Sequence, residues 1–305
     1  MPCYSPLTAY RTFVKNEPKI VFNKPSGQSP YSEQKGFNIP CGRCWGCRLN
    51  YARQWAIRCT HEAQYYEEDL KLPSCFITLT FDPKIRNPVS LNKRDFQLFM
   101  KRLRKKYSNI PIRYFHSGEY GEKRGRPHYH AILFGADFNH DRVLRHEKPN
   151  KLYTSKTLND LWPFGFHLIG NVTFETASYT ARYIMKKQYG DDADKHYKDR
   201  IPEYSTMSLG NGKDTFGLGY GFFQKYKKDI YPHDYVVTRY GFKVKPPRYY
   251  DSLLSKEELE ELKKARRERA EDPYTDIRDP RWKRLKDRER YKIKELERVL
   301  ETRKL

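Results

Sequence analysis

Apolar residues recur along the first half of the chain with two different periods. A spacing of three to four positions over residues 48–70 and 92–107 predicts two amphipathic helices. Residues 75–81 alternate β-branched and aromatic side chains, as a strand does. Residues 111–120 and the apolar run that begins near residue 128 predict two more strands, which a Gly-rich turn joins into a hairpin. We therefore expect an α+β fold, in which a central antiparallel sheet is flanked by helices.

The second half of the chain has weaker patterns. Residues 151–162 predict a helix, residues 165–174 a strand and residues 176–187 a further helix. Residues 188–250 alternate Gly, Lys and aromatic residues and predict few elements. A capping box at Ser255 marks the start of a highly charged predicted helix, and a second charged helix is predicted from about residue 280.

These patterns divide the chain into three predicted parts. Residues 1–50 form an N-terminal arm that ends in a cysteine-rich motif, and its residues 1–40, rich in Pro, Ser, Asn and Lys, are expected to be irregular. Residues 51–250 form the main domain, and residues 251–305 form a charged helical tail. No apolar run approaches the ~20 residues of a membrane span, and the first residues lack an apolar signal core. We expect a cytosolic protein that has no membrane partner.

The charge of the chain indicates a polyanionic partner. Lys and Arg number 60 against 38 Asp and Glu, which gives a net charge of +22. The tail holds 18 basic and 15 acidic residues, so +19 of this excess lies in residues 1–250. Nucleic acid is favoured over an acidic membrane, because the 25 Tyr and 17 Phe are interleaved with the basic residues and suit base stacking. For any single cluster, a Tyr-rich globular surface is an equal alternative.

Three cysteines, Cys41, Cys44 and Cys47, are separated by two residues each. This spacing lets a tight Gly-containing knuckle direct several thiolates at one ion. Cys3 is the predicted fourth ligand, because the other two cysteines fall inside a predicted helix and a predicted strand. A structural Zn²⁺ that fastens the arm is favoured, and scattered buried cysteines and an iron–sulfur cluster are the alternatives.

His128 and His130 stand one residue apart at the start of a predicted strand. Side chains alternate along a strand, so both imidazoles face the same side. Glu119 comes near them across the hairpin, and the three side chains form a candidate ligand set for a divalent ion that polarises a phosphoryl oxygen. Alone, the pair is a weak signal, because strand histidines are more often satisfied by hydrogen bonds.

Tyr179 and Tyr183 lie four residues apart on the predicted helix, on one stripe with Lys186. A phenol has a pKa near 10, so a nucleophilic tyrosine needs nearby positive charge or a metal-activated electrophile. Tyrosines at this spacing usually pack or stack, so the interpretation depends on the lysine and the histidine pair. No Walker A loop is present, which argues against an ATP-driven helicase domain.

Five motifs follow one another along the chain: the cysteine motif of residues 40–48, the strand of residues 76–81, Gly118-Glu119-Tyr120-Gly121, Arg126-Pro127-His128-Tyr129-His130, and the Tyr179-x-x-Arg182-Tyr183-x-x-Lys186 helix. With these motifs the chain resembles the HUH endonucleases over residues 1 to about 240. Within them it resembles the rolling-circle replication initiator proteins of the Microviridae, especially the gokushovirus branch. The resemblance implies a ferredoxin-like sheet and a metal-dependent nick of single-stranded origin DNA.

The resemblance also implies a role for each site residue: Tyr179 and Tyr183 as nucleophiles, Lys186 as the phosphate-side cation, and His128, His130 and Glu119 as ligands of Mg²⁺ or Mn²⁺. One tyrosine leaves a 5′-phosphotyrosine and a 3′-OH that host polymerase extends. The second tyrosine cleaves the regenerated origin, and the circle is closed. In the family the residue between the histidines is often bulky and hydrophobic, and here it is Tyr129.

Two other functions stay open at this point. A single-tyrosine transposase or relaxase would use the same chemistry, and a non-catalytic zinc-dependent DNA-binding protein would explain the charge and the cysteines. The expected partners are single-stranded origin DNA, host polymerase and host helicase, in the cytoplasm of a bacterial host.

Overall fold

The computed structural model groups the chain into two compact units. One unit comprises Met1–Asn50 with Pro273–Leu305, and the other comprises Tyr51–Asp272. The three-part division into arm, domain and tail stays a prediction. The structure describes residues 3–14, 17–24, 36–121, 125–147, 150–182, 191–210, 216–238, 241–271 and 282–302.

The described residues form both strands and helices. The strands are β1 (Leu7–Val14), β2 (Glu17–Val21), β3 (Phe37–Ile39), β4 (Ser74–Phe81), β5 (Arg113–Tyr120), β6 (Pro127–Phe134), β7 (Arg142–His146), β8 (Leu152–Ser155), β9 (Gly165–Gly170), β10 (Tyr204–Met207), β11 (Val236–Val237) and β12 (Lys243–Val244). The helices are α1 (Trp45–Glu68), α2 (Lys93–Lys106), α3 (Lys156–Leu161), α4 (Phe174–Arg182), α5 (Asp191–Tyr197), α6 (Tyr220–Ile230), α7 (Arg248–Asp251), α8 (Lys256–Glu271) and α9 (Trp282–Thr302).

The N-terminal arm contains a small sheet. Its described residues form three antiparallel strands in the order β2-β1-β3. The expectation of an irregular arm is therefore wrong, because β1 is rich in Thr, Tyr and Phe, which strands favour. Pro18 lies in β2, an edge strand, where a missing backbone N–H is tolerated.

The start of α1 is capped by a residue from near the other end of the sequence. Oε1 of Glu289, on α9, accepts a hydrogen bond of 3.0 Å from the backbone N of Trp45, the first residue of α1. The first N–H groups of a helix have no partner within it, and its positive end favours a carboxylate. Burial raises the pKa of Tyr4, and the nearby charges of Lys292 and Glu289 act on it in opposite directions. The helix α9 therefore lies against the arm.

The described residues of the second unit build one large antiparallel sheet. Its strand order is β10-β5-β6-β4-β9-β8-β7. The predicted α+β class with an antiparallel sheet is confirmed. The predicted helix over residues 151–162 is wrong in its first half, because Leu152–Ser155 is the strand β8. Only Lys156–Leu161 is helical, and the side chain of Ser155 caps it by accepting from the N–H of Leu158.

Each face of the large sheet packs its own core. We name the first the α2 face; its buried core includes Ile77, Leu79, Tyr129, Leu133, Phe96, Phe99 and Leu103. We name the second the α4 face; its buried core includes Phe76, Phe115, Ile132, Phe134, Ala56, Ala177 and Ala181. Because strand residues alternate between faces, neighbours on β6 belong to different cores.

Ion pairs hold the charged helix α8 against the rest of the second unit. The guanidinium of Arg266 bonds the carboxylates of Asp234 and Asp251 at 2.6–3.0 Å. The predicted capping box is confirmed: the hydroxyl of Ser255 accepts from the N–H of Glu258, and the carboxylate of Glu258 accepts from the N–H of Ser255. Within the described part of the chain, no helix combines the length and the hydropathy that a membrane crossing needs.

Candidate functional site

The two histidines of β6 lie beside Glu119 on the α4 face. Glu119 is the direct partner of His128 in the β5–β6 ladder, and Ser117 is the partner of His130. Oε1 of Glu119 lies 3.1 Å from Nε2 of His130, and both side chains are buried. The predicted hairpin thus brings the carboxylate to the histidines.

Backbone and hydroxyl groups of the sheet orient both imidazoles. Nδ1 of His128 lies 2.7 Å from the carbonyl oxygen of Arg126. A carbonyl only accepts, so in the neutral imidazole this nitrogen carries the proton and Nε2 is the nitrogen with the lone pair. Nδ1 of His130 lies 3.0 Å from the hydroxyl of Thr78. Each histidine is therefore held through Nδ1, as metal-ligating histidines usually are, and Nε2 is the nitrogen that could bind an ion.

Gly121 positions the carbonyl that orients His128. Its backbone N donates to the oxygen of Arg126 at 2.9 Å, so this oxygen accepts from both the turn and the imidazole. A Cβ at position 121 would lie 2.9 Å from Cε1 of His128. A larger residue would push the imidazole aside, which explains the glycine that ends the motif of residues 118–121.

Tyr179 contacts His130, one of the two histidines. Its helix, α4, packs through Ala177 and Ala181, which are fully buried, whereas Tyr179 is 45% exposed. The ring of Tyr179 meets the ring of His130 edge-on, with a centroid distance of 5.6 Å and an interplanar angle of 84°. A phenol and a candidate metal ligand are thus in contact. The other two predicted catalytic residues, Tyr183 and Lys186, lie outside the described residues.

Tyr129, the residue between the histidines, points to the opposite face and holds the start of α2. Its hydroxyl accepts a hydrogen bond of 3.0 Å from the backbone N of Asn92 and lies 3.0 Å from the backbone carbonyl oxygen of the same residue. Oδ2 of Asp95 lies 3.3 Å away. Asn92 is the N-cap of α2. A hydroxyl at this position links the strand of the histidines to that helix, which the sequence did not reveal.

The Tyr129 hydroxyl can be tested by Tyr129→Phe. The change removes this partner from the backbone groups of Asn92 and from the buried carboxylate of Asp95, so we expect the free energy of unfolding to fall by about 1–3 kcal/mol in urea titrations. Tyr204→Phe is the matched control, because the buried hydroxyl of Tyr204 has no hydrogen-bond partner among the described residues. Equal losses in the two variants would show that the contacts of Tyr129 are not stabilising.

Phe166 is a further candidate residue, which the sequence did not single out. It pairs with Thr80, which pairs on its other side with His128, so the three side chains share the α4 face. The side chain of Phe166 is 59% exposed. An outward-facing aromatic residue near the histidines is a candidate stacking surface, and only the strand register identifies it.

A second candidate centre lies in the first unit. Among the described residues, only Cys3, Cys41, Cys44 and Cys47 bring three or more His, Cys or carboxylate ligand atoms within 4.8 Å of one another. His128, His130 and Glu119 do not form so compact a group, although His130 and Glu119 are in contact. The four cysteines therefore can hold a metal ion.

The sulfur geometry of this cysteine cluster fits one tetrahedral ion. Sγ of Cys3 lies 3.6 Å from Sγ of Cys41 and 3.8 Å from Sγ of Cys44. A tetrahedron with bonds of 2.3 Å places its sulfurs about 3.8 Å apart. Burial raises the pKa of the Cys41 thiol, but bonds from the backbone N–H groups of Cys44 and Arg43 outweigh this and lower it. Such N–H groups also stabilise a bound thiolate.

Comparison with known proteins places the chain in a family. Residues 74–188, from β4 past the end of α4, match the family model "Replication-associated protein ORF2/G2P". Over 255 residues the chain is 34% identical to Replication-associated protein VP4 of Bdellovibrio phage phiMH2K, an alignment that covers 78% of this chain and 76% of the relative. The chain belongs to the phage replication-associated proteins.

Two further members of this family are similar to the chain. Replication-associated protein ORF2 of Spiroplasma virus 4 is 32% identical over 282 residues, with 86% of this chain and 83% of the relative covered. Replication-associated protein ORF4 of Chlamydia phage 1 is 31% identical over 233 residues, an alignment that covers 73% of this chain and 55% of the relative. No solved structure matches the chain. The resemblance to phage replication proteins is confirmed, and the family model spans the histidine pair and Tyr179.

Proposed function

We propose that this replication-associated protein initiates rolling-circle replication by nicking single-stranded origin DNA through tyrosine attack. The main support is the contact of Tyr179 with His130, whose Nε2 also contacts Glu119. A phenol, two imidazoles and a carboxylate thereby lie on one face of the sheet, a set that supports the proposed chemistry. Family membership supports a role in phage replication.

In the proposed nick, the phenol oxygen of Tyr179 or Tyr183 attacks the scissile phosphorus. The bond from phosphorus to O3′ breaks, the phenol proton passes to solvent, and O3′ takes up a proton. The products are a 5′-phosphotyrosine and a free 3′-OH. After one round the second tyrosine cleaves the regenerated origin, and the new 3′-OH attacks the first phosphotyrosine, which closes the circle and restores the phenol. Lys186 is the proposed cation beside the phosphate.

His128, His130 and Glu119 are the proposed ligands of Mg²⁺ or Mn²⁺. Two imidazole nitrogens and a carboxylate oxygen form a suitable donor set, and the Nδ1 contacts of the histidines orient it. The bound ion would polarise a phosphoryl oxygen and so favour attack by a neutral or partly ionised phenol.

Cys3, Cys41, Cys44 and Cys47 are the proposed ligands of a structural Zn²⁺. The sulfur separations suit a single ion, whereas a multi-iron cluster would hold its thiolates farther apart. Four protein ligands complete the tetrahedral shell, so this ion has no open position for chemistry.

The proposed nick is tested with a labelled single-stranded oligonucleotide that carries the phage origin, incubated with Mn²⁺ or Mg²⁺. We expect a covalent protein–DNA adduct whose linked peptide, identified by mass spectrometry, contains Tyr179 or Tyr183. Tyr291→Phe, which removes the hydroxyl of a 73% exposed tyrosine on α9, is the control and should retain the adduct. Absence of any adduct would favour a non-catalytic DNA-binding protein, and strand joining by Tyr183→Phe would favour a single-tyrosine mechanism.

We further propose that host polymerase extends the 3′-OH and that a host helicase opens the duplex, in the cytoplasm of a bacterial host. The proposed nick supplies a primer end but no energy for unwinding, so both host enzymes would be needed.

Phe166 is proposed to stack on a base near the scissile phosphate, because it is exposed and shares the face of His128. Phe166→Ala should weaken binding of the origin oligonucleotide by about 1–3 kcal/mol, measured by fluorescence anisotropy, and Phe166→Trp should preserve it. Phe242→Ala, at a 67% exposed phenylalanine between β11 and β12, is the matched control. Equal affinities of the two alanine variants would contradict stacking at Phe166.

A further inference from the structure

The exposed side of α2 carries a basic stripe. At 100° per residue, Arg94, Lys101 and Lys105 fall on one line of the helix, opposite the buried Phe96 and Leu103. All three side chains of the stripe are exposed. From its first to its last residue the stripe spans about 17 Å of helix.

In the part of the chain that the structure describes, no neighbouring carboxylate balances the charges of this stripe. Asp95 is the acidic residue of α2; it is buried, and Arg86 binds it at 2.8 Å. Among the described residues, none forms an ion pair with Arg94, Lys101 or Lys105. The helix α8, by contrast, pairs lysine with glutamate along its own surface. The positive charges of the α2 stripe are therefore available to an external polyanion.

The stripe and the histidine pair belong to opposite sides of the large sheet. Tyr129 extends from β6 towards α2 and bonds the N-cap Asn92, whereas His128 and His130 on either side of it face the other way. Tyr179 packs on the face of the histidines. A ligand on the α2 stripe is thus separated from the candidate active site by the thickness of the sheet.

The two faces offer different chemistry to nucleic acid. The α4 face exposes Phe166 and Tyr179, and aromatic rings that stack on unpaired bases are typical of single-strand binding. The aromatic residues of α2, Phe96 and Phe99, are buried, so this helix presents charge without rings. Bases of a duplex are already stacked, and its backbone is bound by charge. Over the length of the stripe, a duplex presents roughly ten phosphates.

We propose that the α2 stripe binds the phosphate backbone of duplex DNA. The protein then holds a single strand on the α4 face and a duplex on the opposite face. The identity of that duplex, as DNA that flanks the nicked strand, rests on the proposed function; the binding itself does not.

The test compares full-length wild type with the variant Lys101→Gln/Lys105→Gln. The probes are a labelled 20-base-pair duplex without origin sequence and a labelled single-stranded 12-mer, with affinities measured by anisotropy over a range of salt concentrations. Loss of two phosphate contacts should lower duplex affinity at least about tenfold and reduce the slope of log affinity against log salt by about two. Lys264→Gln/Arg267→Gln, an equal charge change on the exposed side of α8, is the control.

Two results support the proposal together: a duplex-specific loss in the α2 variant, and unchanged melting temperature. Absence of duplex binding by wild type, a loss no larger than in the α8 control, or an equal loss for the 12-mer would each overturn it. Failure of wild type to nick origin DNA, with the duplex effect intact, would refute the proposed function and leave the duplex surface standing.

Discussion

His128→Ala is expected to lower the rate of metal-dependent nicking by roughly 10²–10⁴-fold. The size follows from the several kcal/mol by which a bound ion stabilises charge on a reacting phosphoryl group. His128 is the better choice of the two histidines, because it is half-buried, whereas His130 is buried and in contact with Thr78, Glu119 and Tyr179. The measurement is the single-turnover rate of cleavage of the labelled origin oligonucleotide at several Mn²⁺ concentrations.

Two observations would identify the effect of His128→Ala as loss of a ligand. The rate of the variant should rise with Mn²⁺ concentrations that already saturate wild type, since a missing ligand weakens metal binding. His233→Ala, at an exposed histidine beyond α6, should keep the wild-type rate. Equal rates for His128→Ala and wild type at every metal concentration would exclude His128 from the metal site.

Cys41→Ser is expected to remove the zinc and to unfold the first unit. Structural zinc contributes about 10–16 kcal/mol of apparent binding free energy in zinc-finger peptides. This is as large as the whole stability of a typical domain, about 5–15 kcal/mol. We expect about one zinc per wild-type chain by elemental analysis, none in the variant, and a thermal transition that a chelator abolishes in wild type.

Cys59→Ala is the matched control for the cysteine cluster. Cys59 is fully buried in the core of the α4 face and lies outside the cluster. Its replacement leaves a small cavity, so it should lower the free energy of unfolding by about 1 kcal/mol. The zinc content should not change. Wild-type protein with no zinc, or with iron in its place, would refute the zinc assignment.

Local periodicity predicted the strands around the candidate site. The alternation of residues 127–134 was sufficient to set His128 and His130 on one face, and the Gly-rich turn after Tyr120 was sufficient to bring Glu119 across from them. The packing stripe of Ala177 and Ala181, which turns Tyr179 outward, also follows from helical spacing. Each of these features depends on residues that are close in sequence, so the local pattern was sufficient to predict it.

Features that depend on distant residues were not predictable. The exposed position of Phe166 beside Thr80 and His128 requires the register of three strands, which no local pattern contains. The strand β8 was assigned to a helix because Leu152–Ser155 is too short to show its period, and pairing with β7 and β9 decided its structure. Tertiary contacts thus overrode a weak local signal at β8, and they determined the position of Phe166 where no local signal existed.

The bond from Glu289 to Trp45 affects how deletions of the charged C-terminal segment should be interpreted. Removal of residues 282–302 takes away a candidate partner surface, but it also uncovers the first turn of α1, next to Cys44 and Cys47. A phenotype of such a deletion therefore combines two causes. Glu289→Ala removes the cap and leaves the outer surface of α9 intact, whereas substitutions at the exposed Tyr291 change that surface and leave the cap.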